Sequence, residues 1–146
     1  MSNDKILFEE LNLPTPILSA ITELGFVEPT PIQQQSIPAL LAGKDVLGEA
    51  QTGTGKTAAF TLPILSMFEN SKPATSNNVK ALILTPTREL AAQINDNISF
   101  YGKHLNLKTQ VVFGGVGINP QMQKYSSPIH RKVKFTQIFA FHPYIF

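Results

Sequence analysis

Residues 50–57 read Ala50-Gln51-Thr52-Gly53-Thr54-Gly55-Lys56-Thr57, and the fold turns on how this octapeptide is read. Val46 and Leu47 begin a short apolar run just before it, and Ala58, Ala59, Phe60 and Leu62 follow in a helix-compatible stretch. A strand, a Gly-rich turn and a helix N-terminus are therefore expected to meet at one point. Such a junction aims consecutive backbone N–H groups, and the positive end of the helix, at an anion. Gly53 and Gly55 let the backbone curl around phosphate with no Cβ in the way. Lys56 has the reach and charge for terminal phosphates, and the Thr57 hydroxyl suits Mg²⁺. Ala50 stands where the usual phosphate-loop pattern has its first Gly. All eight residues are candidate nucleotide contacts, with Lys56 and Thr57 nearest the chemistry.

Elements can be placed outward from the loop. Upstream, Ile17, Leu18, Ile21 and Leu24 fall on one helical face that Gly25 is placed to end. Thr30-Pro31 reads as N-cap and first position of a second helix, with Gly43 as its terminator and Pro38 set to bend or split it. Asp45 to Glu49 is expected to be a short buried strand. Downstream, Pro63 marks a kink or end of the helix after the loop. Residues 70–78 are polar, contain Pro73 and read as a surface connection. Val79 to Thr85 reads as a strand and Thr87 to about Tyr101 as a helix capped by Thr87. Thr109 to Phe113 reads as a third strand stopped by Gly114-Gly115. Strands alternating with helices imply parallel βαβ units in an α/β domain with helices on both faces. Ligands in such sheets sit beyond the carboxyl ends of the strands. Residues 50–57, Pro86 to Leu90 and Gly114-Gly115 all fall there.

Composition narrows the class. The 146 residues suit one domain, and the absence of cysteine excludes disulfides and thiol metal sites. The N-terminus carries Asp4, Lys5, Glu9 and Glu10 with no apolar core of a signal peptide. No apolar run approaches the roughly 18 residues that a membrane span needs. A cytoplasmic protein with no membrane contact is expected. The net charge of +2 hides an asymmetry: all ten carboxylates lie at or before Asp96, and residues 97–146 hold only cations. A basic half suits nucleic-acid contact. His104, His130 and His142 are not at metal-ligand spacing.

The stretch Gly25-Phe26-Val27-Glu28-Pro29-Thr30-Pro31-Ile32-Gln33 carries the second signal. A glutamine carboxamide offers one acceptor and one donor face, which can meet adenine N6 and N7 together. Phe8, upstream, could stack on a purine. Taken singly, Gln33 reads equally as a helix-surface glutamine and Phe8 as a core residue. In combination the chain resembles the DEAD-box RNA helicases. Phe8 with Gly25 to Gln33 is similar to their Q motif (residues 8–36). Ala50 to Thr57 is similar to motif I, Pro86-Thr87-Arg88-Glu89-Leu90 to motif Ia, and Gly114-Gly115 to the GG doublet. Tyr101 to Leu105 and Val111 to Gln123 most resemble the bacterial RhlE type. The resemblance covers about residues 5–124.

It implies an incomplete RecA-like P-loop NTPase domain with a parallel sheet, residues 1–124 being the amino-terminal part of helicase lobe 1. It implies ATP and Mg²⁺ as cofactors and single-stranded RNA as partner, with ribonucleoprotein or RNA-degradation partners typical of the family. Gln33 would select adenine, Phe8 would stack on it, and Gly53 to Thr57 would hold the phosphates. Pro86, Thr87, Arg88, Gly114 and Gly115 would contact the RNA backbone. For Arg88 the alternative is a surface ion pair with Glu89 or a neighbouring helix, and for Gly114-Gly115 a plain turn after a strand.

The pattern breaks after Lys124. Hydrolysis of ATP needs a carboxylate for Mg²⁺ and a group that positions water, and no carboxylate follows Asp96. The Asp-Glu-Ala-Asp stretch, the Ser-Ala-Thr stretch and a second RecA-like lobe have no counterpart. Residues 125–146 are free of acids, hold four phenylalanines (Phe135, Phe139, Phe141, Phe146) and are expected to be a non-matching tail, translated out of frame. The other two reading frames past the Lys124 codon would then encode a Thr-Pro-Gly-Arg segment. Such a chain is expected to bind without hydrolysing ATP or unwinding RNA alone. An alternative is a product of a disrupted gene that folds poorly.

Overall fold

The computed structural model describes residues 5–70, 79–115, 117–125 and 134–140. The chain divides into two compact units: Met1–Asn70 with Phe100–Leu105, and Ser71–Ser99 with Asn106–Phe146.

The first unit is helical. A 3₁₀ turn, Phe8–Leu11, precedes α1 (Thr15–Glu23), α2 (Pro31–Leu41) and α3 (Lys56–Glu69). Ile17, Ala20 and Ile21 lie one helical turn apart on α1 and are fully buried, as the spacing predicts. Gly25 closes α1 with φ +79°, a conformation that an L side chain resists. α3 is buried on nearly every face, through Ala58, Ala59, Leu62, Leu65 and Phe68, and α2 packs against it.

Neither internal proline splits or ends its helix. Pro38 lies inside a single continuous α2, and Pro63 inside a continuous α3. An interior proline costs a helix roughly 3 kcal/mol. Pro63 is itself fully buried, in a helix whose apolar burial offsets that cost. Hydroxyls also return to the preceding turn: Ser36 donates to Ile32 O at 2.6 Å, and Thr61 to Thr57 O at 2.6 Å.

Asp45 to Glu49 is not a strand. Residues 44–50 have no regular structure, and Leu47 is fully exposed. A buried strand exists through the ladder beside it, and no described strand pairs with this segment.

The second unit holds a three-stranded parallel sheet in the order β1-β3-β2. β1 is Val79–Thr85, β2 is Leu107–Phe113 and β3 is Lys134–Ala140. α4 (Arg88–Tyr101) follows β1 and α5 (Ile118–Tyr125) follows β2. The parallel sheet and the positions of β1, α4 and β2 match expectation. Thr87 caps α4, its hydroxyl accepting from Leu90 N–H at 3.2 Å. β3 was not expected: the sequence reading gave no element to residues 125–146. It lies in the centre, pairing Ile83 with Ile138 on one side and Val111 with Ile138 on the other. The surface connection expected at 70–78 lies outside the described residues beyond Asn70.

Candidate functional site

In the first unit, three stretches that are distant in sequence converge. Phe8, Gly25, Phe26, Thr30, Gln33, Gly53 and Gly55 line one cleft of about 440 Å³. That volume lies within the range of small-molecule sites.

Its floor is built from the first turn of α2. Gln33 is no surface glutamine; only 3 % of it is exposed. Its Oε1 accepts from Thr30 N–H at 2.9 Å, which satisfies an N-terminal donor of the helix. Its Nε2 donates to Gly55 O at 3.1 Å. The Thr30 hydroxyl donates to Thr54 O at 2.8 Å. Two successive carbonyls of the 50–57 loop are thus tied to α2. Because peptides are planar and trans, tying those carbonyls turns the N–H groups of Gly55 and Lys56 the other way. Gly53 and Gly55 both have positive φ, +83° and +85°. A Cβ on Gly55 would fall 2.3 Å from Gln33 Nε2, so the close approach requires glycine.

Lys56 starts α3, and its ammonium folds over the loop, donating to Ala50 O and to Gln51 O, the latter at 2.9 Å. The Thr54 hydroxyl donates to Gln51 O at 2.7 Å. Thr57 follows in the first turn of α3, half-buried. Thr52 is exposed at the loop tip.

Phe8 is 4 % exposed and stacks on Phe26, with ring centroids 5.9 Å apart and planes at 26°. Phe26 in turn meets Tyr101 at 6.0 Å. Phe8 is therefore both a core residue and a wall of the cleft. Sequence reasoning gave no role to Phe26 and saw Thr30 only as a helix cap. The adjacency of Phe26 to Gly25 was the available signal.

In the second unit, Pro86, Thr87 and Arg88 follow β1, and Gly114-Gly115 follow β2. All five are exposed. Arg88 makes no ion pair with Glu89; its guanidinium donates to Gly114 O. Gly115 has φ +71°, and a Cβ there would lie 2.8 Å from Arg88 Nη2. Thr85 bridges the bend at Pro86, its hydroxyl donating to Thr87 O at 3.0 Å. The loops after two strands of one sheet are thus latched together.

A Gly-rich loop braced by a buried glutamine in the first unit, and a parallel sheet whose carboxyl ends carry an exposed arginine and a Gly pair in the second, are features of a RecA-like domain. The DEAD/DEAH box helicase family profile matches residues 30–142, a range that runs beyond Lys124 and takes in β3. The chain belongs to this family. It is 47 % identical over 116 residues to the DEAD-box ATP-dependent RNA helicase RhpA of Helicobacter pylori, covering 80 % of this chain and 23 % of that protein. Among solved structures it is similar to a DEAD box protein from the hyperthermophile Methanococcus jannaschii. There the TM-score is 0.76 at 37 % identity, covering 92 % of this chain and 34 % of that one. It is also similar to the RNA helicase Prp28 from Chaetomium thermophilum bound to ADP, with TM-score 0.77 at 32 % identity, covering 95 % of this chain and 33 % of that one. The chain spans about a quarter of the length of the curated relatives it matches. No helix among the described residues is long and apolar enough to cross a membrane.

Proposed function

We propose that this chain carries ATP- and RNA-binding parts of a DEAD-box ATP-dependent RNA helicase, and that by itself it binds adenine nucleotide without hydrolysing it. The observation that carries the reading is the pair of hydrogen bonds from Thr30 and Gln33 to the Thr54 and Gly55 carbonyls, within a cleft that Phe8 also lines.

The residues present fit the nucleotide. Gln33 has spent one lone pair on Thr30 N–H and one N–H on Gly55 O. A carboxamide retains one further acceptor and one further donor after those bonds, the complement of adenine N6–H and N7. Phe8 and Phe26 supply the apolar wall for the purine. Ala50 to Thr57 receives the phosphates: the N–H groups of Gly55 and Lys56 point away from α2, and the N-terminus of α3 favours an anion. Lys56 exchanges the neutral Ala50 and Gln51 carbonyls for anionic phosphate oxygens. Thr57 offers its hydroxyl to Mg²⁺, which when bound would neutralise charge between the phosphates.

RNA backbone is the partner of the second unit. Arg88 has five donors in a fixed fork and spends one direction on Gly114 O, leaving others for phosphate oxygens. Thr87 and Pro86 sit at the N-terminus of α4, where an anion is favoured. The exposed Gly114-Gly115 turn lets a strand approach closely. Ribonucleoprotein or RNA-degradation assemblies are the setting that the family suggests.

Hydrolysis requires carboxylates to hold Mg²⁺ and position water, and the sequence offers none after Asp96. A paired assay tests the reading. Saturable binding of a fluorescent ATP analogue is expected, weakened roughly tenfold or more in Lys56→Ala through loss of a charged hydrogen-bond donor. No phosphate release above background is expected with or without single-stranded RNA. RNA-stimulated turnover would overturn the non-catalytic part.

A further inference from the structure

Gln121, on α5, holds a position that none of the matched motifs explains. Its carboxamide closes on both backbone groups of one residue: Oε1 accepts from Phe113 N–H at 3.0 Å, and Nε2 donates to Phe113 O at 3.2 Å. Nε2 also reaches Gly117 O at 3.4 Å, beyond the Gly pair. The Gln121 carbonyl in turn accepts from Gln110 Nε2 at 3.3 Å. Phe113 is the last residue of β2 and immediately precedes Gly114-Gly115. β2 is an edge strand, paired only with β3 in the described sheet. The side-chain amide is an isostere of a peptide group. It therefore sits beside Phe113 as a neighbouring strand's peptide would, satisfying a donor and an acceptor that an open edge leaves unpaired.

The turn is thus fixed from two directions. Arg88 grips Gly114 O on one side, and Gln121 grips Phe113 on the other. Gly115, at φ +71°, has nothing of its own to set its conformation, because glycine adopts many backbone states at similar cost. A Gly pair that must present its backbone to a ligand needs outside restraint, or ordering it on binding costs affinity.

We propose that Gln121 is a positioning residue for RNA: it pre-orders the Gly114-Gly115 turn and acts on RNA only through that turn. This rests on the reading that the turn contacts the RNA backbone.

The test uses the full 146-residue chain with Gln121→Met, which keeps the side-chain volume and removes the carboxamide's hydrogen bonds to Phe113 and Gly117, beside Arg88→Met. Fluorescence anisotropy with labelled single-stranded oligouridylate is measured across a salt series, and binding of fluorescent ATP is measured in parallel. Gln121→Met is expected to weaken RNA binding roughly five- to tenfold, with the salt slope and ATP affinity unchanged, because no charge is lost. Arg88→Met is expected to lower the salt slope by about one. Amide exchange at Phe113 and Gly115 is expected to quicken in Gln121→Met, with exchange in α4 unaltered. If Arg88→Met weakens RNA binding and Gln121→Met does not, the positioning role is overturned while the RNA site stands. Loss of ATP binding together with RNA binding in Gln121→Met would overturn it as well, by marking a general structural role. An unsubstituted chain that does not bind RNA overturns both.

Discussion

Gly55 bears three demands at once. Its φ is +85°, its carbonyl accepts from Gln33, and its absent Cβ is the space that Gln33 Nε2 occupies. Gly53 has the same positive φ but nothing within 4 Å of an added Cβ. Alanine at Gly53 therefore meets only backbone strain, on the order of 1 kcal/mol. Alanine at Gly55 meets that strain and displaces the buried carboxamide, with a further cost of roughly 1–3 kcal/mol for the bond to its carbonyl. Gly55→Ala is expected to lower thermal stability more than Gly53→Ala and to weaken ATP binding more, as read by scanning fluorimetry with and without nucleotide. Equal effects would show that Gln33 does not brace the loop. The loop conformation at Gly53 and Gly55 and the start of α3 at Lys56 were legible because glycines at positive φ and the helix-compatible run after them are local signals. The brace was not. A buried glutamine and an exposed one look alike in sequence, and Thr30 was fully explained as a cap before its hydroxyl was seen to reach Thr54.

At the scale of elements, tertiary packing decides where local signals conflict. Pro38 signals a bend or a split and Pro63 a kink or an end, and α2 and α3 run on through both. β1, α4 and β2 were legible because their apolar patterns and boundary residues agree. Asp45 to Glu49 was misread because apolar residues before a phosphate loop indicate a strand only if a ladder exists beside them. The segment after α4 is tied back to α1 by Glu23, which accepts from Lys103 Nζ and pairs with His104 Nε2 at 2.7 Å. The hydrogen bond from Lys103, and then that from His104, hold the Glu23 carboxyl below its ordinary value of 4.5. A lowered carboxyl pKa stabilises the fold above the ordinary value, and that contribution is lost as pH falls through the lowered one. Glu23→Gln is therefore expected to lower the melting temperature slightly at pH 7, the pair being exposed. The difference from the unsubstituted chain is expected to shrink as pH falls below 4.5 and through the lowered folded-state value, where the carboxyl takes up its proton in both states. A gap that persists unchanged at acid pH would mean that the tether contributes nothing through charge.

At the scale of the whole molecule, apolar side chains stand exposed among the described residues. β1 buries Ile83 and Thr85 on one face, while Leu82 is 55 % and Leu84 59 % exposed on the other. Parallel strands are ordinarily covered on both faces, and an open apolar strand at a sheet edge is a template for self-association. The chain is expected to form concentration-dependent oligomers in sedimentation velocity experiments, and the double substitution Leu82→Lys with Leu84→Lys is expected to shift them toward monomer. A monodisperse unsubstituted chain at high concentration would contradict this. The central claim is the proposal that the 50–57 loop and Gln33 form an adenine-nucleotide site. Calorimetric titration of the chain with ATP–Mg²⁺ and then with GTP–Mg²⁺ tests it most directly. The account predicts one saturable site for ATP, binding GTP at least about tenfold more weakly because guanine presents O6 where adenine presents N6–H. Equal affinity for the two nucleotides, or no saturable heat with ATP, would contradict it.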